Sequence, residues 1–164
     1  MLTAILTGAP IWVWPLLVLM ITLGLIASKG RSRSYIPIYF FWLLGFLSLN
    51  AVNGLTPAPV IWGIFGVAYL LGAAFGYRFQ GRIIISKSGG RITLKGEWLS
   101  MNVLMTIFWM NFVGGVVQAI SPEAYASTGF HALFAVVAGL ASGTFIGRAL
   151  RVFITPSMPE PAIA

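Results

Sequence analysis

The chain has 164 residues, of which 59% are hydrophobic and 8% charged, with a mean hydropathy of +0.94. A soluble domain carries about 25% charged residues, and one of ~150 residues still exposes about a third of its unfolded surface, so this composition excludes a water-soluble globule and makes lipid the solvent. Ten Lys and Arg against three acids give a net charge of +7, set in short clusters between apolar runs; that excludes a nucleic-acid groove and points to an anionic membrane surface.

The first apolar run, residues 11–28, is long enough to cross ~30 Å of hydrocarbon. No basic residue precedes it, whereas Lys29, Arg31 and Arg33 follow it. That is the reverse of a secretory signal, and predicts a retained helix with its N-terminus outside. Trp12 and Trp14 mark its outer interface, and Pro15 falls in its first turn. Residues 36–77 would make a helix of ~63 Å, twice the hydrocarbon thickness, and must fold back. Asn53-Gly54-Leu55-Thr56-Pro57-Ala58-Pro59 supplies the turn, giving spans over 36–54 and 59–77. Tyr35, Tyr39, Trp42 and Tyr77 form an inner aromatic belt, with Trp62 at the outer side.

Residues 82–95 predict a short cytoplasmic β-hairpin between spans three and four. A Ser88-Gly89 turn pairs Ile85 with Ile92 and Ile83 with Leu94 on one face, leaving Arg82, Ser86, Arg91, Thr93 and Lys95 on the other. An isolated hairpin is marginal in water, so its apolar face should rest on the membrane or on helix ends; an irregular basic loop is the alternative. Spans four and five follow over 98–120 and 129–148, joined by an outer turn at Ser121-Pro122-Glu123. Arg148 and Arg151 snorkel at the inner headgroups, Pro156 stops the helix, and 156–164 form a disordered tail.

Charge sidedness decides the count. The basic residues fall as three after span one, five around the hairpin and two at the end of span five, which accounts for all ten. Five spans put all of them inside; four or six would misplace a cluster. The expectation is an all-α integral membrane protein, a five-helix transmembrane bundle forming one domain over residues 1–155. It lies in the cell inner membrane, with its N-terminus outside and its C-terminus cytoplasmic. Lys29, Arg31, Arg33, Arg78, Arg82, Arg148 and Arg151 are the expected inner-face contacts to anionic lipid headgroups.

Small residues recur every fourth position as Ala68, Gly72 and Gly76, and again as Ala135, Gly139, Gly143 and Gly147. Such ladders let helix backbones approach within a bundle or between copies. Spans two–three and four–five also share an asparagine at similar depth (Asn50 and Asn111) and a Gly-rich, basic end, the pattern of a parallel duplication. A chance likeness of small-residue helices is the alternative.

Chemistry is sparse. The three acids are Glu97 at the inner interface, Glu123 in an outer loop and Glu160 in the tail, so no mid-depth carboxylate serves a proton- or sodium-coupled transporter. Asn50, Asn53, Asn111 and Gln118 are intramembrane polar groups suited to interhelical hydrogen bonds, or to lining a path. His131 is the single histidine. One imidazole without Cys or Asp makes no zinc site, and a hydrogen-bonded interfacial histidine is favoured over a haem or quinone contact. Ser142 lacks the Gly two residues before it that an intramembrane serine protease needs, and lies ~16 Å along the helix from His131. No cysteine is present, so disulfides and thiol redox chemistry are excluded. An enzyme is not expected, nor a metal or cofactor.

Pro10-Ile11-Trp12-Val13-Trp14, Gly96-Glu97-Trp98, and Gly143 to Gly147 with Arg148-Ala149-Leu150-Arg151 resemble an uncharacterised family of small multi-spanning bacterial inner-membrane proteins. Glu97 departs from the small polar residue expected between that Gly and Trp. The resemblance implies a membrane location and carries no assigned activity. Two readings stay open: a non-catalytic accessory, assembly or scaffold component, with a homo-oligomer or another membrane protein as partner, or a small oligomeric permease or channel with a polar path near Asn50 and Asn111.

Overall fold

The computed structural model describes residues 13–34, 48–55 and 58–158, except the side chains of Arg31 and Arg33. The elements are α1 (Val13–Ser28), β1 (Arg31–Ser34), α2 (Pro59–Ile83), β2 (Ile84–Ser88), β3 (Arg91–Leu94), α3 (Leu99–Ile120), a single turn α4 (Pro122–Tyr125) and α5 (Thr128–Ile154). Residues 48–53 are also helical. The fold is mostly helical, with a small antiparallel sheet. Three helices, α2, α3 and α5, are long and apolar enough to cross a membrane, while α1 has 16 residues. Of the five expected spans, residues 11–12 and 36–47 lie outside the described residues, as do Trp12, Tyr35, Tyr39 and Trp42.

Two rows of contacts join α2 to α5, and both come from the small-residue ladders. In one row Gly139, Gly143 and Gly147 lie against the backbones of Phe65, Tyr69 and Ala73; in the other Gly72 and Gly76 lie against Leu140 and Thr144. A Cβ at any of these glycines would overlap the facing backbone. The sequence separation stays constant along each row, so the two helices run in the same direction. With no side chain between them, the backbones gain dispersion and Cα–H···O contacts that lipid tails cannot supply. This is the most extensive helix contact among the described elements.

The second pairing, α1 with α3, is antiparallel and is made at one end. Gly24 receives the Met101 side chain, Gly96 lies against the Ser28 carbonyl, and the Glu97 amide donates to Ala27 O at 3.1 Å. That last bond satisfies one of the carbonyls a helix C-terminus leaves without an intrahelical donor. Thus α1, α2 and α5 end where α3 begins, beside the sheet. At the opposite end Val52 and Leu55 pack with Ile61, Phe65, Phe134 and Ala135. There Gly54 and Leu55 close the turn after residues 48–53, through bonds to Asn50 O and Val52 O. Pro59 opens α2, and the Ser127 hydroxyl caps α5 by accepting from the Phe130 amide.

The hairpin forms, but one residue later than expected. Ser88 pairs with Arg91, Lys87 with Ile92 and Ser86 with Thr93, around a Gly89-Gly90 turn. Both glycines have positive φ (55° and 78°), the left-handed pair a tight hairpin turn requires and one that Ser88 would adopt at a cost. Moving the turn by one residue shifts the pairing by two, so Lys87 takes the place opposite Ile92 and the slip alone keeps each side chain on its face. A register break at Ile84/Ser86 then leaves Ile85 exposed, while Ser86 and Ile92 are buried. Ile83, expected in the strand, is the last residue of α2.

One further strand and one isolated bridge were not legible as such. β1 adds to the far side of β3, giving the order β1-β3-β2, and Met158 bridges to Lys87 on the outer edge of β2. The expected disordered tail therefore begins with an ordered contact; residues 159–164 lie outside the described residues. Helices α2 and α5 also run six residues past their expected ends at 77 and 148, carrying their last turns to the sheet. Lys87 fixes that junction: its Nζ donates to Val152 O and Thr155 O, both at 2.7 Å, capping α5 with a cation at the negative end of its dipole.

Gly143→Leu should force α2 and α5 apart and cost about 3 kcal/mol or more, at the upper end of overpacking changes. Gly63, beside which an added Cβ meets nothing, should accept Leu with no loss. Thermal unfolding in detergent, followed by tryptophan fluorescence, checks both; equal melting temperatures for the two variants would contradict the backbone contact.

Candidate functional site

The two α2–α5 rows do not stop at the glycines. Gln80 and Arg148 are separated by 68 residues, as Gly72 and Leu140 and Gly76 and Thr144 are, and extend that row by one step of four. Tyr77 and Arg151, 74 residues apart, likewise follow Ala73 and Gly147 in the other row. The glycine register therefore delivers two arginines to chosen partners on α2 beside the sheet.

Arg148 is buried, and its guanidinium is divided among three elements. Nε donates to Gln80 Oε1 at 2.8 Å, Nη1 to Ser100 Oγ at 2.8 Å, and Nη2 to Glu97 Oε1 at 3.0 Å. Glu97 and Arg148 expose only 7% and 6% of their side chains. The carboxylate is held on its other side as well: Glu97 Oε2 accepts from the Ser100 amide at 2.9 Å, and Oε1 from the Ser100 hydroxyl at 2.5 Å. Glu97 thus caps the first turn of α3 while neutralising the arginine of α5. Its backbone is fixed by Gly96, which allows the approach to α1 described above. Gln80 is 1% exposed, and its Nε2 has no partner among the described residues.

The expectation that Arg148 reaches lipid headgroups is overturned: its hydrogen-bond donors turn inward, where α2 and α3 supply the acceptors. Arg151 is half-buried, donating to the Tyr77 hydroxyl at 3.0 Å with its guanidinium 4.9 Å from the centre of that ring. Tyr77 is therefore an intramolecular partner and not simply a belt residue. Lys29, Arg78, Arg82, Arg91 and Lys95 are exposed. Arg31 and Arg33 lie on β1, opposite Leu94 and Ile92. All ten basic residues thus belong to elements at the sheet end, and Glu123 lies on α4 at the other.

The expected intramembrane polar residues do not converge. Asn50, Asn53, Asn111 and Gln118 are exposed, and the Asn111 amide donates to Ile107 O of its own helix at 2.8 Å. Interhelical bonds from these side chains do not form among the described residues. His131 is buried in the first turn of α5, with Nε2 unpartnered there. The Ser142 hydroxyl donates to Ala138 O at 2.6 Å, a bond within its helix. A cleft of about 550 Å³ opens between α3 and α5, lined by Asn102, Thr106, Trp109 and Val137 among others; neither Asn50 nor Asn111 lines it. Among the described residues no group of three or more potential metal ligands comes together.

Gln80, Ser100 and the role of Glu97 were missed from sequence. One signal was available: Gln80 is the next step of the Ala68, Gly72, Gly76 ladder, a polar residue where the helix face is committed to contact. The partnership of Glu97 with Arg148 carries no local pattern. It joins two residues 51 positions apart in the chain.

No protein-family model matches the chain, and no curated protein or solved structure matches it.

Glu97→Gln or Arg148→Met alone should destabilise by about 3–5 kcal/mol, because each leaves a buried charge without its counter-ion. The double variant should lose clearly less than the sum of the two. A double-mutant cycle on detergent unfolding checks this; additive losses would show that the pair is not coupled.

Proposed function

We propose that the chain is a five-span, non-catalytic membrane component, an accessory or scaffold protein, whose sheet end lies at the cytoplasmic surface and binds anionic lipid headgroups. The observation that carries this reading is the charge balance at the sheet end. Glu97, the one carboxylate there among the described residues, is consumed by buried Arg148, and Arg151 is turned onto Tyr77. Lys29, Arg78, Arg82, Arg91 and Lys95 are left exposed, with no other acid at that end among the described residues. Each basic residue near an anionic leaflet contributes about 1 kcal/mol of attraction.

Connectivity supports the span count. Ser34 pairs in the sheet and Val52 and Leu55 pack at the opposite end, which agrees with the span expected over 36–54. Taking that expected span with α1, α2, α3 and α5 gives five, with the N-terminus outside and the C-terminus inside by the positive-inside rule. The resemblance to small bacterial inner-membrane proteins agrees with this location. A permease path past Asn50 and Asn111 has less in its favour, since the cleft lining contains neither.

In vesicles containing phosphatidylglycerol the protein should melt at a higher temperature than in pure phosphatidylcholine. Replacing Arg78, Arg82, Arg91 and Lys95 by Gln should abolish most of that difference, as should 0.5 M salt. No lipid dependence in the unmodified protein would defeat the headgroup reading. The chain has no cysteine, so single variants report topology cleanly. Glu123→Cys should react with an impermeant maleimide in intact cells and Lys95→Cys only after lysis; the reverse pattern would invert the orientation.

A further inference from the structure

Among the described residues helix α3 is covered far less than its two long neighbours: 11% of its apolar stretch is buried, against 28% in α2 and 56% in α5. Along it, Leu104, Phe108, Asn111, Gly115 and Gln118 follow each other at alternating steps of four and three, the spacing of a helix–helix seam. The chain covers the first part of this seam: Phe108 is 6% exposed and Leu104 half-buried. The rest is open. Asn111, Gly115 and Gln118 are all exposed, and an added Cβ at Gly115 would meet nothing within 4 Å.

Asn111 lies near the middle of α3, ~18 Å of helix from Leu99 and ~14 Å from Ile120. Among the described residues its Nδ2 reaches only the Ile107 carbonyl of its own helix. An exposed carboxamide at that depth faces hydrocarbon, where its remaining donor and acceptor find no water. Gln118 repeats the chemistry one heptad further on, nearer the helix end, and Gly115 between them removes the side chain that would hold a second backbone away.

We propose that this face binds a second copy of the chain, α3 against α3, with Asn111 paired to Asn111 and Gln118 to Gln118 across a two-fold axis normal to the membrane. Two properties select a second copy over a different membrane protein. A carboxamide is both donor and acceptor, so two of them satisfy each other reciprocally. Copies inserted in one orientation also place each residue at the same depth as its counterpart, which makes the face self-complementary without further adjustment. This rests on the non-catalytic membrane-component reading and gives it an assembly state.

The test uses the absence of native cysteine. In membranes, Gly115→Cys should form an intermolecular disulfide on mild oxidation and run as a dimer, whereas Val67→Cys, on the exposed face of α2, should not. In detergent, Asn111→Leu should weaken dimerisation about tenfold, the scale of one interhelical hydrogen bond, as measured by concentration-dependent light scattering. Asn111→Gln should restore part of it. Equal cross-linking at both cysteines, a monomer at all concentrations, or a Gly115→Cys adduct to a different protein would each overturn the proposal. Anionic-lipid stabilisation of Asn111→Leu is read separately. If it persists while the dimer is lost, both readings stand; if a dimer forms without any lipid preference, only the headgroup reading fails.

Discussion

The backbone-to-backbone contact of α2 and α5 is the constraint on which the rest of the structure depends. Five glycines remove the side chains that would separate the helices, and their spacing of four on each helix fixes one parallel register. That register then determines which residues meet beyond the glycines, where the helices rise to the sheet. Gln80 meets Arg148 and Tyr77 meets Arg151 because they occupy the next steps of the same two rows. Dispersion between close backbones, a weak force per contact, thereby positions the buried arginine for its ion pair with Glu97.

The buried ion pair has a different task from the glycine contact. Helix α3 touches α5 over a small part of its length, and the apolar surfaces of the two can slide past one another with little penalty in a solvent of lipid tails. A charge pair cannot slide, because a small displacement strands a desolvated guanidinium or carboxylate. Glu97 binds Arg148 with one oxygen and the start of α3 with the other, while its own amide holds the end of α1. One residue therefore ties the α1–α3 pair to the α2–α5 pair. The sheet reinforces the same end: β1 leaves α1, β2 leaves α2 and β3 leads towards α3, so their ladder bonds join the helix ends through the chain itself. The polar and sheet contacts that join the two helix pairs are concentrated there, and the exposed cations that remain are those these contacts do not use.

At the other extreme stands α3, the least covered of the three long helices among the described residues. Its exposed asparagine and glutamine have no internal task among the described residues, in contrast to Arg148, Gln80 and Ser100, whose polar atoms are drawn into one network. The contrast separates polar groups that complete the fold from those that face outward, and the second set is where an assembly surface has its material.

Much of this architecture was legible in the sequence, for reasons that are local. Long apolar runs fix the helices; Pro59 and the Asn53-Gly54 turn mark their ends; the glycine ladders announce a close helix contact. Their partners, however, were not specified, since a ladder says that a backbone approaches and not whose. The hairpin was visible from its composition, yet its register turned on a single residue, settled by the need for two positive φ angles that Gly89-Gly90 meet and Ser88-Gly89 does not. Arg148 shows the division most plainly. By itself the sequence determined that a cation stands at the basic end of the last helix, and snorkelling to lipid was the natural reading. Only the tertiary structure decided that it turns inward, because the acceptors that make a buried guanidinium stable come from residues 80, 97 and 100, and no local pattern encodes a meeting of side chains that far apart in the chain.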